Sequence, residues 1–319
     1  MFRYGEVRSS NLLAGTFIFL KQNNLVKVSI VAEGGIARHS YVYGVLDALR
    51  SHFGLKNVDY LAASSVSFAT LAYYALGRSD DYYYILTRIV PKDRVVNFTN
   101  LIKNRPYIDI DFLIEEVAKK HLILNNKNLI ASKTKLIVPL TNMKTGRAEY
   151  FDNKSKFNFV DIFKASMVFP IPVIGCQPVK IGDNFYFDGG ISDPVPVSVP
   201  GVKSSKKIII LTKTEQETKA RNIEKPLSKI FKWKLNSGLY TAAQRSPVVY
   251  RNVMKKIAIL ESNGDAVIRP TTKMKTFDNS KKAMISNIKQ GYRDTVSNKK
   301  LPSFIAELKK SNRKNFYFE

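Results

Sequence analysis

The sequence predicts an α/β protein built on a mostly parallel sheet, and two observations carry that expectation. Twice a β-rich apolar run stops at small residues and gives way to a helical pattern, which is the strand–turn–helix rhythm of βαβ units. A third run, Lys207–Thr212, is short and continuously apolar, as strands buried on both faces are.

Leu25–Ala32 reads as the first strand and stops at Glu33-Gly34-Gly35. Val42, Val45, Leu46 and Leu49 then fall at helical spacing. Val58–Ala63 reads as a second strand ending at Ser64-Ser65, and Phe68–Leu76 as a helix closed by Gly77. Tyr82–Ile89 is expected to be helical, and Asp109 caps a helix with an acidic first turn. Lys135–Leu140 and Ala148–Phe151 form a strand pair around Gly146, and Phe159–Ser166 a short helix. Phe185–Phe187 is a strand stopping at Asp188-Gly189-Gly190. The expected organisation is an N-terminal extension (1–24), an α/β core (25–212) and a Lys-rich, mainly helical part (213–319) packed on that core.

The chain of 319 residues carries a net charge of +25, unevenly spread. From Gly201 onward there are 27 Lys and Arg against 9 Asp and Glu, a surface suited to polyanions or an anionic membrane. No helix-turn-helix, zinc-finger or RNP pattern accompanies it, so nucleic acid is not the expected partner. One cysteine, Cys176, excludes an internal disulfide, and the three histidines show no metal spacing. No metal or cofactor is expected. The apolar run Leu12–Leu20 is too short to span a bilayer and lacks a cleavage site, so it is read as an element packed on the body and the protein as cytoplasmic, with peripheral membrane contact.

Three segments at strand ends bear chemistry, where open α/β sheets place their sites. Glu33-Gly34-Gly35-Ile36-Ala37-Arg38 turns sharply into a helix and exposes N–H groups suited to an anion or oxyanion. Ala63-Ser64-Ser65-Val66-Ser67 sets a serine on a strand-to-helix turn with small residues two before and two after. Asp188-Gly189-Gly190 aims a carboxylate from a strand end, while Asp193-Pro194 reads as a structural turn. Each segment alone also fits a plain turn or helix cap.

Together, in this order, the three segments resemble the bacterial patatin-like phospholipases, whose pattern runs E-G-G-G-x-R-G, G-x-S-x-G and D-G-G. Gly44–Ala48, Asp59-Tyr60, Gly77-Arg78, Ile108–Leu113, Ala165–Pro170, Ile191–Val197, Val267–Pro270 and Gly291–Asp294 extend the resemblance to residues 25–295. It implies a three-layer fold with helices on both faces of the sheet, and a lipid acyl hydrolase with a Ser–Asp dyad and no catalytic histidine. On that reading Ser65 is nucleophile and Asp188 base. Backbone N–H groups near Gly34, Gly35 and Ile36, with Val66, hold the oxyanion, and Arg38 steadies the loop or supplies charge. Four glycines of the pattern are replaced, by Ile36, His39, Ala63 and Ser67. If the third loop glycine has positive φ, Ile36 is strained there. The alternative is a weak or inactive relative serving as a membrane- or macromolecule-binding module.

Overall fold

The computed structural model describes residues 26–95, 108–121, 126–169, 177–220, 237–311 and 313–319. Leu12–Leu20, Cys176 and Pro170 lie outside the described residues. In chain order the elements are β1 (Val28–Ala32), α1 (His39–Ser51), β2 (Tyr60–Ala63), α2 (Ser67–Ala75), α3 (Ser79–Tyr84), α4 (Ile110–His121), α5 (Asn126–Ala131), β3 (Lys135–Asn142), β4 (Ala148–Asp152), α6 (Phe159–Ala165), β5 (Val179–Ile181), β6 (Asn184–Asp188), β7 (Lys206–Ile210), α7 (Glu215–Ala220), α8 (Ser237–Ser262), β8 (Ala266–Ile268), α9 (Lys281–Val296), α10 (Leu301–Lys309) and α11 (Lys314–Phe318).

Eight strands form one sheet in the order β5-β6-β3-β2-β1-β7-β8, with β4 also paired to β3. The centre is parallel: β1 runs beside β2 and β7, β2 beside β3, and β7 beside β8. Both faces of the sheet are covered, which is why these strands read as unbroken apolar runs. Ile30, Leu61, Val138 and Ile208 point into one core with Val42 and Leu46 of α1, Phe68 and Leu71 of α2, and Met284 of α9. Val31, Ala62, Ile137 and Ile209 point the other way, against Val195–Val202 and Ile257 of α8. The α/β architecture predicted from sequence is therefore present, with helices on both faces.

Two glycines of the sequence pattern have a packing reason. A Cβ on Gly44 would sit 2.0 Å from the Ile288 carbonyl oxygen, and one on Gly291 2.2 Å from that of Tyr41. Helices α1 and α9 cross backbone to backbone there. The segment after Thr212 thus contributes both an edge strand (β8) and the partner of α1.

Some details differ from the sequence reading. Tyr82–Ile89 is not one α-helix: α3 ends at Tyr84 and passes into a π-helical turn at Ile85–Ile89. Tyr73, Tyr74 and Tyr82 are buried in the core, while Tyr83 and Tyr84 are exposed. Tyr74 lies inside because its hydroxyl finds the Leu55 carbonyl. Strands β5 and β8 span three residues each, too short to show a period.

Candidate active site

Strand register brings the three segments together. Ala32 of β1 aligns with Ala63 of β2 and with Ile210 of β7. The residues that follow, Glu33-Gly34, Ser64-Ser65 and Leu211-Thr212, therefore leave the sheet at one level. Strand β3 supplies the rest. Its Ile137 pairs with Ala62 on one side and Asp152 on the other, while its Thr141 pairs with Phe187 on one side and Ala148 on the other. One edge of β3 is lined by β4 throughout, and the opposite edge changes partner from β2 to β6. Strand β6 arrives antiparallel where β2 ends, which sets Asp188 beside the turn that holds Ser65.

That turn is sharp. Only Ser64, Ser65 and Val66 separate β2 from α2, and Ser65 takes φ +58, in the left-handed region that non-glycine residues seldom occupy. Its surroundings fix it there. The Ser64 hydroxyl donates to the Pro194 carbonyl (2.7 Å) and accepts from the Gly34 N–H (3.2 Å). The Ser67 hydroxyl donates to the Glu33 carbonyl at 2.7 Å, tying α2 to the end of β1. Ala63 and Ser67 are completely buried, as the tight approach of strand and helix requires of small residues. Gly34 touches the serine directly: a Cβ there would lie 2.6 Å from the Ser65 Cβ.

Ser65 and Asp188 face the same cavity, near enough for the hydroxyl to lower the pKa of the carboxyl. The Asp188 Oδ1 accepts from the Gly190 N–H at 2.8 Å, and its backbone is held by Val168 and Thr141. A Cβ on Gly189 would meet the Pro139 carbonyl oxygen at 2.1 Å, so that turn packs against β3 as only glycine allows. Burial pushes the Asp188 carboxyl up from 3.8 to about 7, against the opposing pull of the Ser65 hydroxyl and the Gly190 N–H. Among the described residues no lysine or arginine forms a salt bridge with it.

In the loop after β1, Ile36 takes φ +51, so the position is one where glycine is at ease and a β-branched residue is strained. The N–H groups of Gly35, Ile36 and Val66 take no partner among the described residues, whereas those of Gly34 and Ala37 are taken by Ser64 and the Thr276 carbonyl. His39 is buried and its Nδ1 hydrogen-bonds the Ile36 carbonyl. Burial lowers its pKa to about 4, so the ring is neutral near pH ~7 and Nδ1–H is the donor. The ring is thus placed where it can brace the loop at Ile36. Arg38 is buried and reaches Glu217 at 3.6 Å.

Sequence reasoning quoted Glu33 and missed its partners. The buried carboxylate accepts from the Thr212 N–H (2.9 Å), the Tyr250 hydroxyl (3.1 Å) and Lys213, with which it forms an ion pair. Burial alone would raise its pKa, but the Lys213 charge and these hydrogen bonds hold it below its ordinary 4.5. Thr212 and Lys213 stand just past Leu211 at the end of β7, and that strand-end position was the available signal. Asp193 receives the Tyr150 hydroxyl at 2.9 Å and bonds back to Gly189, a structural place as expected.

Ser65, Asp188 and the loop Gly34–His39 line one cavity of about 270 Å³. Its remaining wall is mostly apolar, including Val90, Ile110, Leu113, Val117, Phe163 and Met167. Among the described residues no cluster of His, Cys, Asp or Glu is arranged to hold a metal, and no helix is long and apolar enough to cross a membrane.

The uncharacterized protein YjjU of Escherichia coli (strain K12) is 23% identical over 187 residues, which cover 58% of this chain and 51% of that protein. The chain thus matches about half the length of that relative. The crystal structure of VipD from Legionella pneumophila is similar with a TM-score of 0.47 and 13% identity, over 87% of this chain and 67% of that one. The model of the patatin-like phospholipase family matches residues 30–200, more than half of the sequence, and the chain belongs to that family.

Proposed function

We propose that the protein hydrolyses lipid acyl esters through a Ser65–Asp188 dyad and an acyl-enzyme. The observation that carries this reading is that Ser65, held at φ +58 on its turn, shares its cavity with a buried carboxyl whose pKa is raised to about 7. A base with that pKa is half-ionised at neutral pH and takes a proton readily in the transition state. Asp188 accepts the Ser65 hydroxyl proton as the oxygen attacks the ester carbonyl. The oxyanion is received by the N–H groups of Gly35, Ile36 and Val66. Collapse expels the alcohol, which takes the proton back from Asp188. Water, deprotonated by Asp188, then releases the fatty acid from Ser65. The apolar wall receives the acyl chain, and Arg38 holds the loop through Glu217.

A second reading, a binding protein that keeps the fold without turnover, is favoured by the strained Ile36 in the oxyanion loop. One assay separates the two. Hydrolysis of p-nitrophenyl acyl esters and of a fluorogenic phospholipid is measured for wild type, Ser65→Ala and Asp188→Asn. The dyad predicts turnover by wild type, loss to background in Ser65→Ala and a fall of about 10²–10⁴-fold in Asp188→Asn. Wild type no faster than Ser65→Ala sinks the hydrolase reading.

A further inference from the structure

The loop between β8 and α9 opens the cavity to a charged surface. Phe277 lines the cavity and is nonetheless 48% exposed, so it stands at the mouth. Around it, Lys273, Lys275, Lys281 and Lys282 are all exposed. Asp278 is the acidic residue within 271–282, against four lysines, and the shallow depression beside Phe277 is lined by Lys275 together with Asp278 and Asp93. The loop is also tied to the machinery behind it. The Thr276 carbonyl accepts the Ala37 N–H of the oxyanion loop at 3.1 Å. The Asn279 side chain donates to the Val90 carbonyl (3.0 Å), and the Gln290 side chain to the Thr272 carbonyl (2.8 Å).

We propose that residues 271–282 are a docking surface for an anionic phospholipid bilayer, with Phe277 entering the headgroup boundary and the four lysines meeting lipid phosphates. This rests on the lipid-hydrolase reading of the same cavity. An aromatic ring among lysines is the pairing that binds anionic interfaces, apolar contact adding to charge attraction. An aqueous acidic partner gives no reason for an exposed ring at the entrance of an apolar cavity, whereas a bilayer uses both features. Docking at this loop delivers an acyl chain to Ser65 without a path through water.

The test uses full-length Ser65→Ala protein, which removes hydrolysis from the readout, and co-sedimentation with phosphatidylcholine vesicles with and without phosphatidylglycerol. Binding is expected only with the anionic lipid, and weakens as salt is added. Changing Lys273, Lys275, Lys281 and Lys282 together to Gln is expected to lower the affinity about a hundredfold or more, at roughly fivefold per lysine near an anionic surface. The control changes Lys56, Lys203, Lys310 and Lys314 to Gln. All four are exposed, and Lys56 and Lys203 precede β2 and β7, at the strand-start pole away from the cavity. Both sets alter net charge equally, and thermal unfolding of each checks the fold. Phe277→Ser is expected to lower the binding that survives at high salt. Equal losses in the two lysine sets, binding indifferent to phosphatidylglycerol, or binding to duplex DNA in place of vesicles would each overturn the proposal. Vesicle binding by the loop without ester hydrolysis by wild type removes the proposed reaction and leaves the docking surface standing.

Discussion

Two carboxylates are buried at strand ends beside one cavity and are driven in opposite directions. Glu33, after β1, is matched with Lys213, Thr212 and Tyr250, and its pKa lies below the ordinary value. Asp188, the last residue of β6, is met among the described residues by a serine hydroxyl and a peptide N–H, and its pKa is raised to about 7. Burial is the largest influence on both, so the partners decide the sign. The difference teaches a division of labour. A carboxylate fully matched by a cation is fixed as an anion and serves the framework. One matched only by neutral donors can exchange a proton near neutral pH.

The largest expected effect comes from removing the cation. Lys213→Met leaves Glu33 buried without its counter-charge, which costs about 3–5 kcal/mol. In the wild type Glu33's folded pKa is lowered. Its stabilising contribution is therefore present above its unfolded value and lost as pH falls through the folded one. In Lys213→Met the shift reverses, so the variant gains stability on acidification from pH ~7 to ~5. Asp188→Asn goes the other way, removing a charge that burial disfavours, and is expected to be more stable than wild type at neutral pH while losing activity. Urea midpoints of the three proteins at both pH values check this. A loss under ~1 kcal/mol in Lys213→Met, with no reversal of the pH trend, breaks the comparison.

The contrast between these carboxylates also marks the limit of what the sequence discloses. Ser65 and Asp188 are legible because their signals are local: small residues flanking a strand end, and an aspartate before two glycines. Glu33's role is not, because Lys213 is 180 positions away in the chain. Gly44 and Gly291 are visible as pattern, but their reason is a helix crossing that only folding creates. The change of partner along β3, which places Asp188 beside Ser65, depends on pairings of three residues each and leaves no periodic trace. Ile36 was suspect from its branching alone, and its φ of +51 makes the suspicion specific.

A pH profile sharpens the comparison next. If Asp188 is the base, kcat/KM follows its ionised form, level above about pH 7 and falling about tenfold per pH unit below, so about a hundredfold by pH ~5. The same titration acts on stability with the opposite sign. Between 3.8 and about 7 the folded state holds a proton that the unfolded chain has released, so stability declines as pH rises through that window. Asp193, raised by burial to about 6, is a competing titration, so the activity inflection is expected to persist in Asp193→Asn. His39, at about 4, titrates below the range. An inflection that moves with Asp193 assigns the base elsewhere.

The smallest effect concerns the loop that Glu33 fixes. Ile36 at positive φ costs about 1–3 kcal/mol, and the surrounding bonds must hold it there. Two of them are the Glu33 network at the loop's start and the His39 Nδ1–H on the Ile36 carbonyl. Ile36→Gly relieves the strain but gives the unfolded chain more freedom, about 0.5–1 kcal/mol, so the net gain in stability is about 1 kcal/mol. Hydrolysis is expected to hold or rise, since the Gly35 and Val66 N–H groups stay in place and a bulky side chain leaves the cavity wall. A double-mutant cycle with His39→Ala tells strain from simple packing. If His39 holds the loop against Ile36's preference, His39→Ala is the more damaging change when isoleucine is present and the milder one when glycine replaces it. Equal costs in the two backgrounds would mean that His39 fills space, and that the Glu33 framework alone keeps the loop in its left-handed turn.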